Sequence, residues 1–128
     1  MKYLGIDYGR VRVGIAVSDD EGKIAFPKSV LKNTGIGALA DTIAHLAGAE
    51  RALEIVMGLP QVVPGMDASL RGEIQNLADI MEKQYQTPVS FQDELFTTRM
   101  AEEHSKKNTD ASAAALILQS FLDRQNKV

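Results

Sequence analysis

The order in which two hydrophobic periodicities follow one another constrains this chain more than any other feature. Three strand-like segments come first, at residues 2–7, 11–18 and 23–31. In the second, Val11, Val13, Ile15 and Val17 recur every other residue, which predicts a strand with one apolar face. The link Tyr8-Gly9-Arg10 has hairpin length, and Asp19-Asp20-Glu21-Gly22 is a turn signal. These three strands therefore read as an antiparallel meander. Pro27 lacks an N–H donor, which places the third strand at a sheet edge. Helical spacing follows at residues 36–47, through Ile36, Leu39, Ile43 and Leu46. Residues 52–57 read as a fourth strand, closed by Gly58-Leu59-Pro60. A helix over 67–85 carries Leu70, Ile74, Leu77, Met81 and Tyr85 on one stripe, with Asp67 as its N-cap. Pro88 opens a fifth strand, 88–93, and two helices near 97–107 and 110–124 complete the pattern. Helical crossovers join strands 1, 4 and 5, so these are expected to run parallel. Their carboxyl ends then share one edge, where ligands of open α/β sheets bind.

Residues 1–128 have the size of one domain, with 45% apolar and 24% charged residues, as in ordinary globular chains. The absence of cysteine excludes a disulfide framework and any Cys-based zinc or iron–sulfur site. No apolar run reaches the ~20 residues of a membrane span. Met1-Lys2-Tyr3-Leu4-Gly5 leads directly into a strand pattern with no signal peptide. The expected compartment is the cytoplasm, with no membrane partner. Fourteen Lys and Arg against seventeen Asp and Glu give a net charge of −3, so a broad basic footprint is missing. A local basic patch remains compatible with that charge, and an acidic metal site would itself contribute to it.

Four acids fall at the predicted ligand edge. Asp7 ends strand 1, Asp93 and Glu94 end strand 5, and Asp110 opens the last helix. Each has a simpler role available: Asp110 as a helix cap, and Asp93 or Glu94 as a solvated loop acid. Asp7 is the hardest to assign so, because it directly follows the apolar Leu4-Gly5-Ile6, and a carboxylate ending a buried strand needs a partner. Together the acids would repel one another unless a cation neutralised them. Mg²⁺ takes oxygen ligands and binds through a few carboxylates plus substrate phosphate. Paired ions would clamp the attacking and leaving oxygens of a phosphodiester.

Four segments in this order carry a family likeness: Leu4 to Asp19 (LGIDYGRVRVGIAVSD), Met57 to Pro60 (MGLP), Phe91 to Ala101 (FQDELFTTRMA) and Asp110 to Asp123 (DASAAALILQSFLD). The chain resembles the YqgF family, also called RuvX, of Holliday junction resolvases or pre-16S rRNA nucleases. The likeness extends over essentially the whole chain. It implies an α/β, RNase H-like fold: a five-stranded mixed sheet, with strands 1–3 antiparallel, strands 1, 4 and 5 parallel, and helices on both faces. It further implies a nuclease centre using Mg²⁺ or Mn²⁺, with Asp7, Glu94 and Asp110 as catalytic metal ligands and Asp93 as the alternate to Glu94. Strand alternation does not choose within the Asp93-Glu94 pair, since neighbours point to opposite faces and the strand's end is not fixed. Two departures stand out. Leu95 occupies a position where the family carries Arg, and the basic stretch before the last helix is reduced to Lys106-Lys107. Fewer phosphate contacts imply weaker and less salt-sensitive binding.

Arg10, Arg12, Arg99, Lys106 and Lys107 are candidate contacts to nucleic-acid phosphates, with solvated charge as the alternative. Gly5, Gly9 and Gly14 either admit a ligand close to the backbone or serve a tight hairpin. Thr97 reads as a helix cap and Arg71 as a surface residue. His45 and His104 read as exposed, and Ala111–Ala115 as a closely packed helix face. Three functions compete. The first is an endonuclease acting on structured RNA or branched DNA, as a monomer or homodimer. The second is an actin-like ATPase or sugar-kinase half, suggested by the Asp7-Tyr8-Gly9 hairpin, which would need a second such domain. The third is a nucleic-acid-binding module without catalysis, suggested by Leu95 and the short basic turn.

Overall fold

A computed structural model of the chain describes residues 1–61, 64, 68–93 and 109–127. Strands β1 (Tyr3–Asp7), β2 (Arg12–Ser18), β3 (Ala25–Lys32), β4 (Glu54–Leu59) and β5 (Val89–Asp93) form one sheet in the order β3-β2-β1-β4-β5. β1 runs antiparallel to β2 and parallel to β4, β2 runs antiparallel to β3, and β4 runs parallel to β5. The helices are α1 (Ile36–Glu50), α2 (Ser69–Tyr85) and α3 (Thr109–Gln125). The expected helix at 97–107 lies outside the described residues.

Alternation along the strands divides the interior into two cores. Leu4 and Ile6 of β1, Val13 and Ile15 of β2, and Ile55 and Met57 of β4 pack against Leu39 and Ile43 of α1 and Ile74, Leu77 and Met81 of α2. On the opposite face Ala16 and Val56 pack against Ala114, Ile117, Leu118, Phe121 and Leu122 of α3. Helices therefore cover both faces of the sheet. Pro27 sits on the edge strand, as expected, and the β2–β3 register shifts between Ile15 and Ala16, which pair with Ser29 and Pro27. Three details of the sequence reading change. Val11 continues the period of β2 but precedes the strand and is 68% exposed, because the hairpin link turns it out of the sheet. Gly58 and Leu59 lie within β4 and pair with Gln92 and Asp93. Ala68 occupies the N-cap position of α2, so that position does not fall on Asp67, which lies outside the described residues.

Glu50, at the end of α1, ties that helix to β3 and to the residue preceding β1. Lys28 Nζ of β3 approaches its Oε2 at 2.8 Å, and Lys2 Nζ donates to its Oε1 at 3.0 Å. An acid at a helix C-terminus opposes the helix dipole, and the two lysines offset this. The Lys28 contact, then the Lys2 contact, holds the Glu50 carboxyl below its ordinary 4.5. This contribution to stability is complete above the unfolded-state value and disappears as pH falls through the lowered folded-state value. Glu50→Gln is therefore expected to flatten the acid limb of stability between about pH 5 and pH 3. Urea midpoints across that range test it; unchanged acid sensitivity would show that the cluster contributes nothing.

Candidate active site

The carboxyl end of β1 carries Asp7 and lies beside the start of α3, which carries Asp110. Asp7 shares its strand face with Tyr3 and Gly5, the face covered by α3. Its cross-strand neighbour is Gly14. A Cβ on Gly14 would lie 1.9 Å from the backbone oxygen of Asp110 and 3.0 Å from the amide nitrogen of Ala111. The first turn of α3 thus rests on bare backbone, directly beside Asp7. One strand further along, a Cβ on Gly5 would lie 2.9 Å from Leu118 Cβ and 3.1 Å from the Ala114 oxygen. Small residues on both sides, Gly5 and Gly14 below and Ala111 and Ala114 above, let the helix descend onto the sheet. Gly5 and Gly14 therefore serve a third purpose, helix seating, and neither of the two foreseen. Gly9 fits the hairpin reading, since its Cβ would lie 2.4 Å from the Arg12 oxygen.

Asp110 is in the first turn of α3, where a negative charge complements the helix dipole. Its side chain is 32% exposed and its Oδ2 accepts from Arg12 Nε at 2.9 Å. Asp93 is placed differently. It pairs with Leu59 and shares the strand face of Val89 and Phe91, on the α1/α2 side, opposite to Asp7. Its carboxylate accepts from the Gln61 side-chain amide. Glu94 and, with it, Leu95, Thr97, Arg99, His104, Lys106 and Lys107 lie outside the described residues.

Among the described residues no three acids or histidines gather closely enough to hold a metal ion. The donor set nevertheless suits a hard cation. Asp7 and Asp110 both offer carboxylate oxygens. Gln92, on the Asp7 face and in register with Gly58, has a buried Oε1 that finds no hydrogen-bond partner among the described residues. An orphaned oxygen acceptor in this row is the kind of group that a hydrated Mg²⁺ or Mn²⁺ satisfies.

Arg10 is anchored to α2. Its Nε donates to Glu73 Oε2 at 3.0 Å and its terminal nitrogen to Ser69 Oγ at 2.6 Å, both on α2. Tyr8, 7% exposed, donates from its hydroxyl to Glu73 Oε1 at 2.9 Å. Burial pushes that hydroxyl above its ordinary 10.0, so it remains a donor at neutral pH. Arg71, read as a surface residue, donates to the Pro60 carbonyl at 2.7 Å and ties the end of β4 to α2. His45 is exposed and stacked on its own helix turn through Asp41.

The family model described as RuvX, Holliday junction resolvase, matches residues 1–124. The chain belongs to the RuvX family. A relative from Maridesulfovibrio salexigens, named "Putative pre-16S rRNA nuclease", is 33% identical over 134 residues, covering 97% of this chain and 99% of that protein. Among solved structures, Thermus thermophilus RuvC in complex with Holliday junction substrate superposes with a TM-score of 0.66 at 17% identity, covering 98% of this chain and 96% of that one. The Fowlpox virus resolvase, also in complex with Holliday junction DNA, superposes with a TM-score of 0.59 at 12% identity, over 99% and 100%. These two establish the fold, which is RNase H-like, as the family likeness implied. Within this RuvX chain, reasoning from sequence missed Glu73, Tyr8 and Gln92. Tyr8 adjoins Asp7 and could have drawn notice; Glu73 and Gln92 carry no local signal, because their importance depends on which strands become neighbours.

Proposed function

We propose that this chain is a divalent-metal-dependent endonuclease that hydrolyses phosphodiesters in nucleic acid, with 5′ processing of pre-16S rRNA in the cytoplasm as its task. One observation carries the reading: Gly14 seats the Asp110 turn beside Asp7 at the carboxyl edge of the sheet. Family membership and the names of relatives such as that from M. salexigens support the nuclease chemistry and the rRNA substrate. Asp7 and Asp110 would hold Mg²⁺ or Mn²⁺, together with Glu94. The choice of Glu94 over Asp93 is supported by the face on which β5 carries Asp93. Bound there, the metal would stabilise charge on the phosphate and lower the pKa of an attacking water. The chain's own residues would orient the substrate: the two carboxylates, by holding the cation, would set where the scissile phosphate sits, and Arg12, 65% exposed beside Asp110, offers a guanidinium to the backbone. Arg99, Lys106 and Lys107 extend that grip.

A second reading, resolution of branched DNA, is favoured by the family description and by the junction complexes among the structural neighbours. The two readings share the site and differ in substrate. A panel of labelled pre-rRNA fragments and four-way DNA junctions separates them. On the preferred substrate Glu94→Gln is expected to lower the rate at least about 100-fold, while Asp93→Asn keeps most of it. The reverse pattern would move the third ligand to Asp93. Binding without cleavage by wild type in either metal would leave a binding module, with Leu95 and the short basic turn as its cause.

A further inference from the structure

Arg12 makes an ion pair with a carboxylate that the metal reading also claims. We propose that Arg12 is an exchangeable counter-ion, neutralising Asp110 until a divalent cation takes that carboxylate and then turning to a backbone phosphate of the nucleic acid. The inference rests on the metal-centre reading above and names the residue that couples metal loading to substrate binding.

The main chain at both ends of the pair is fixed. Arg12 opens β2 opposite Lys32 of β3, and the Asp110 carbonyl rests against Gly14. Only the side chains are free to exchange. The pair is exposed, at 65% for Arg12 and 32% for Asp110, and exposed ion pairs are weak in water. A divalent cation at Asp110 Oδ2 competes directly with Arg12 Nε, now 2.9 Å away, and like charge drives the guanidinium out. Once displaced, that guanidinium presents a planar fork of N–H donors that matches phosphate oxygens in pairs. Arg10, in the same hairpin, is unsuited to the exchange because Glu73 and Ser69 of α2 hold it. Its anchor is a carboxylate that no metal ligand set includes.

The test measures two affinities in wild type, Arg12→Ala, Arg12→Lys and Asp7→Asn. Mn²⁺ binding is read by electron paramagnetic resonance. Binding of a fluorescein-labelled RNA hairpin and of a four-way DNA junction is read by anisotropy in Ca²⁺. Arg12→Ala is expected to bind Mn²⁺ up to about tenfold tighter and the preferred nucleic acid several-fold more weakly. Arg12→Lys keeps the charge but not the fork, so its Mn²⁺ affinity stays near wild type while its nucleic-acid affinity falls. Opposite signs in the two affinities mark an exchange. Loss of a merely structural bridge would loosen Asp110 and weaken both. If Arg12→Ala fails to fold, Arg12→Gln carries the same comparison. Mn²⁺ affinity in the neutral variant at or below wild type, with Asp7→Asn impaired, overturns the role of Arg12 and leaves the metal centre standing. If Asp7→Asn binds Mn²⁺ as wild type does, or wild type binds neither nucleic acid, the metal-centre or substrate reading itself fails and takes this inference with it.

Discussion

Gly14→Ala is expected to lower the melting temperature by roughly 5–10 °C and to cut cleavage by about 100-fold. The added methyl would lie 1.9 Å from the Asp110 oxygen, a backbone atom that cannot rotate away. Either α3 lifts or β2 sinks, and forced overpacking of this kind costs about 1–3 kcal/mol. Lifting α3 also carries Asp110 away from Asp7, and displacements near 1 Å cost roughly two decades in rate. Gly48→Ala is the matched control. It lies within α1, a Cβ there meets nothing within 4 Å, and the change should stabilise by about 0.5–1 kcal/mol. Thermal melts and initial rates on both variants check the pair. Equal behaviour of the two alanines would mean that the seat of α3 is not tight.

Asp7→Asn should reduce turnover about 10³-fold, corresponding to about 4 kcal/mol of lost transition-state stabilisation. The substitution keeps the shape of the side chain and removes one charge. Asp7 lies beside the first turn of α3, which carries Asp110. Added Mn²⁺ should raise the wild-type melting temperature and leave the variant nearly unmoved, since a ligand stabilises only the state that binds it. A stable variant with full activity would remove Asp7 from the chemistry.

Much of the fold could be read from local pattern. Period-two runs marked β1 and β2, Pro27 marked an edge, and helical crossovers implied the parallel pairing of β1, β4 and β5. Asp7 stood out because an acid at the end of a buried strand needs a reason. The unread parts all depend on long-range register. Val11 continues the alternation of β2, yet the hairpin link turns it outward, and periodicity does not see a link. The face that Asp93 occupies could not be read until its pairing with Leu59 was known. Gly5 and Gly14 looked like ligand or hairpin glycines because their real partner, the alanine face of α3, lies near the other end of the chain. The anchor of Arg10 was unreadable for the same reason: Glu73 is 63 residues away.

Carboxylates at the carboxyl edge of the sheet, acting through a divalent cation on nucleic acid, are the heart of the proposed chemistry. The most direct measurement is the metal dependence of cleavage by the purified protein, on labelled pre-rRNA fragments and four-way DNA junctions, in Mg²⁺, in Mn²⁺ and in chelator. Cleavage in either metal, abolished by chelator and restored by adding the ion back, is the predicted result. Cleavage that persists in chelator, or no cleavage of any substrate in either metal, would contradict it.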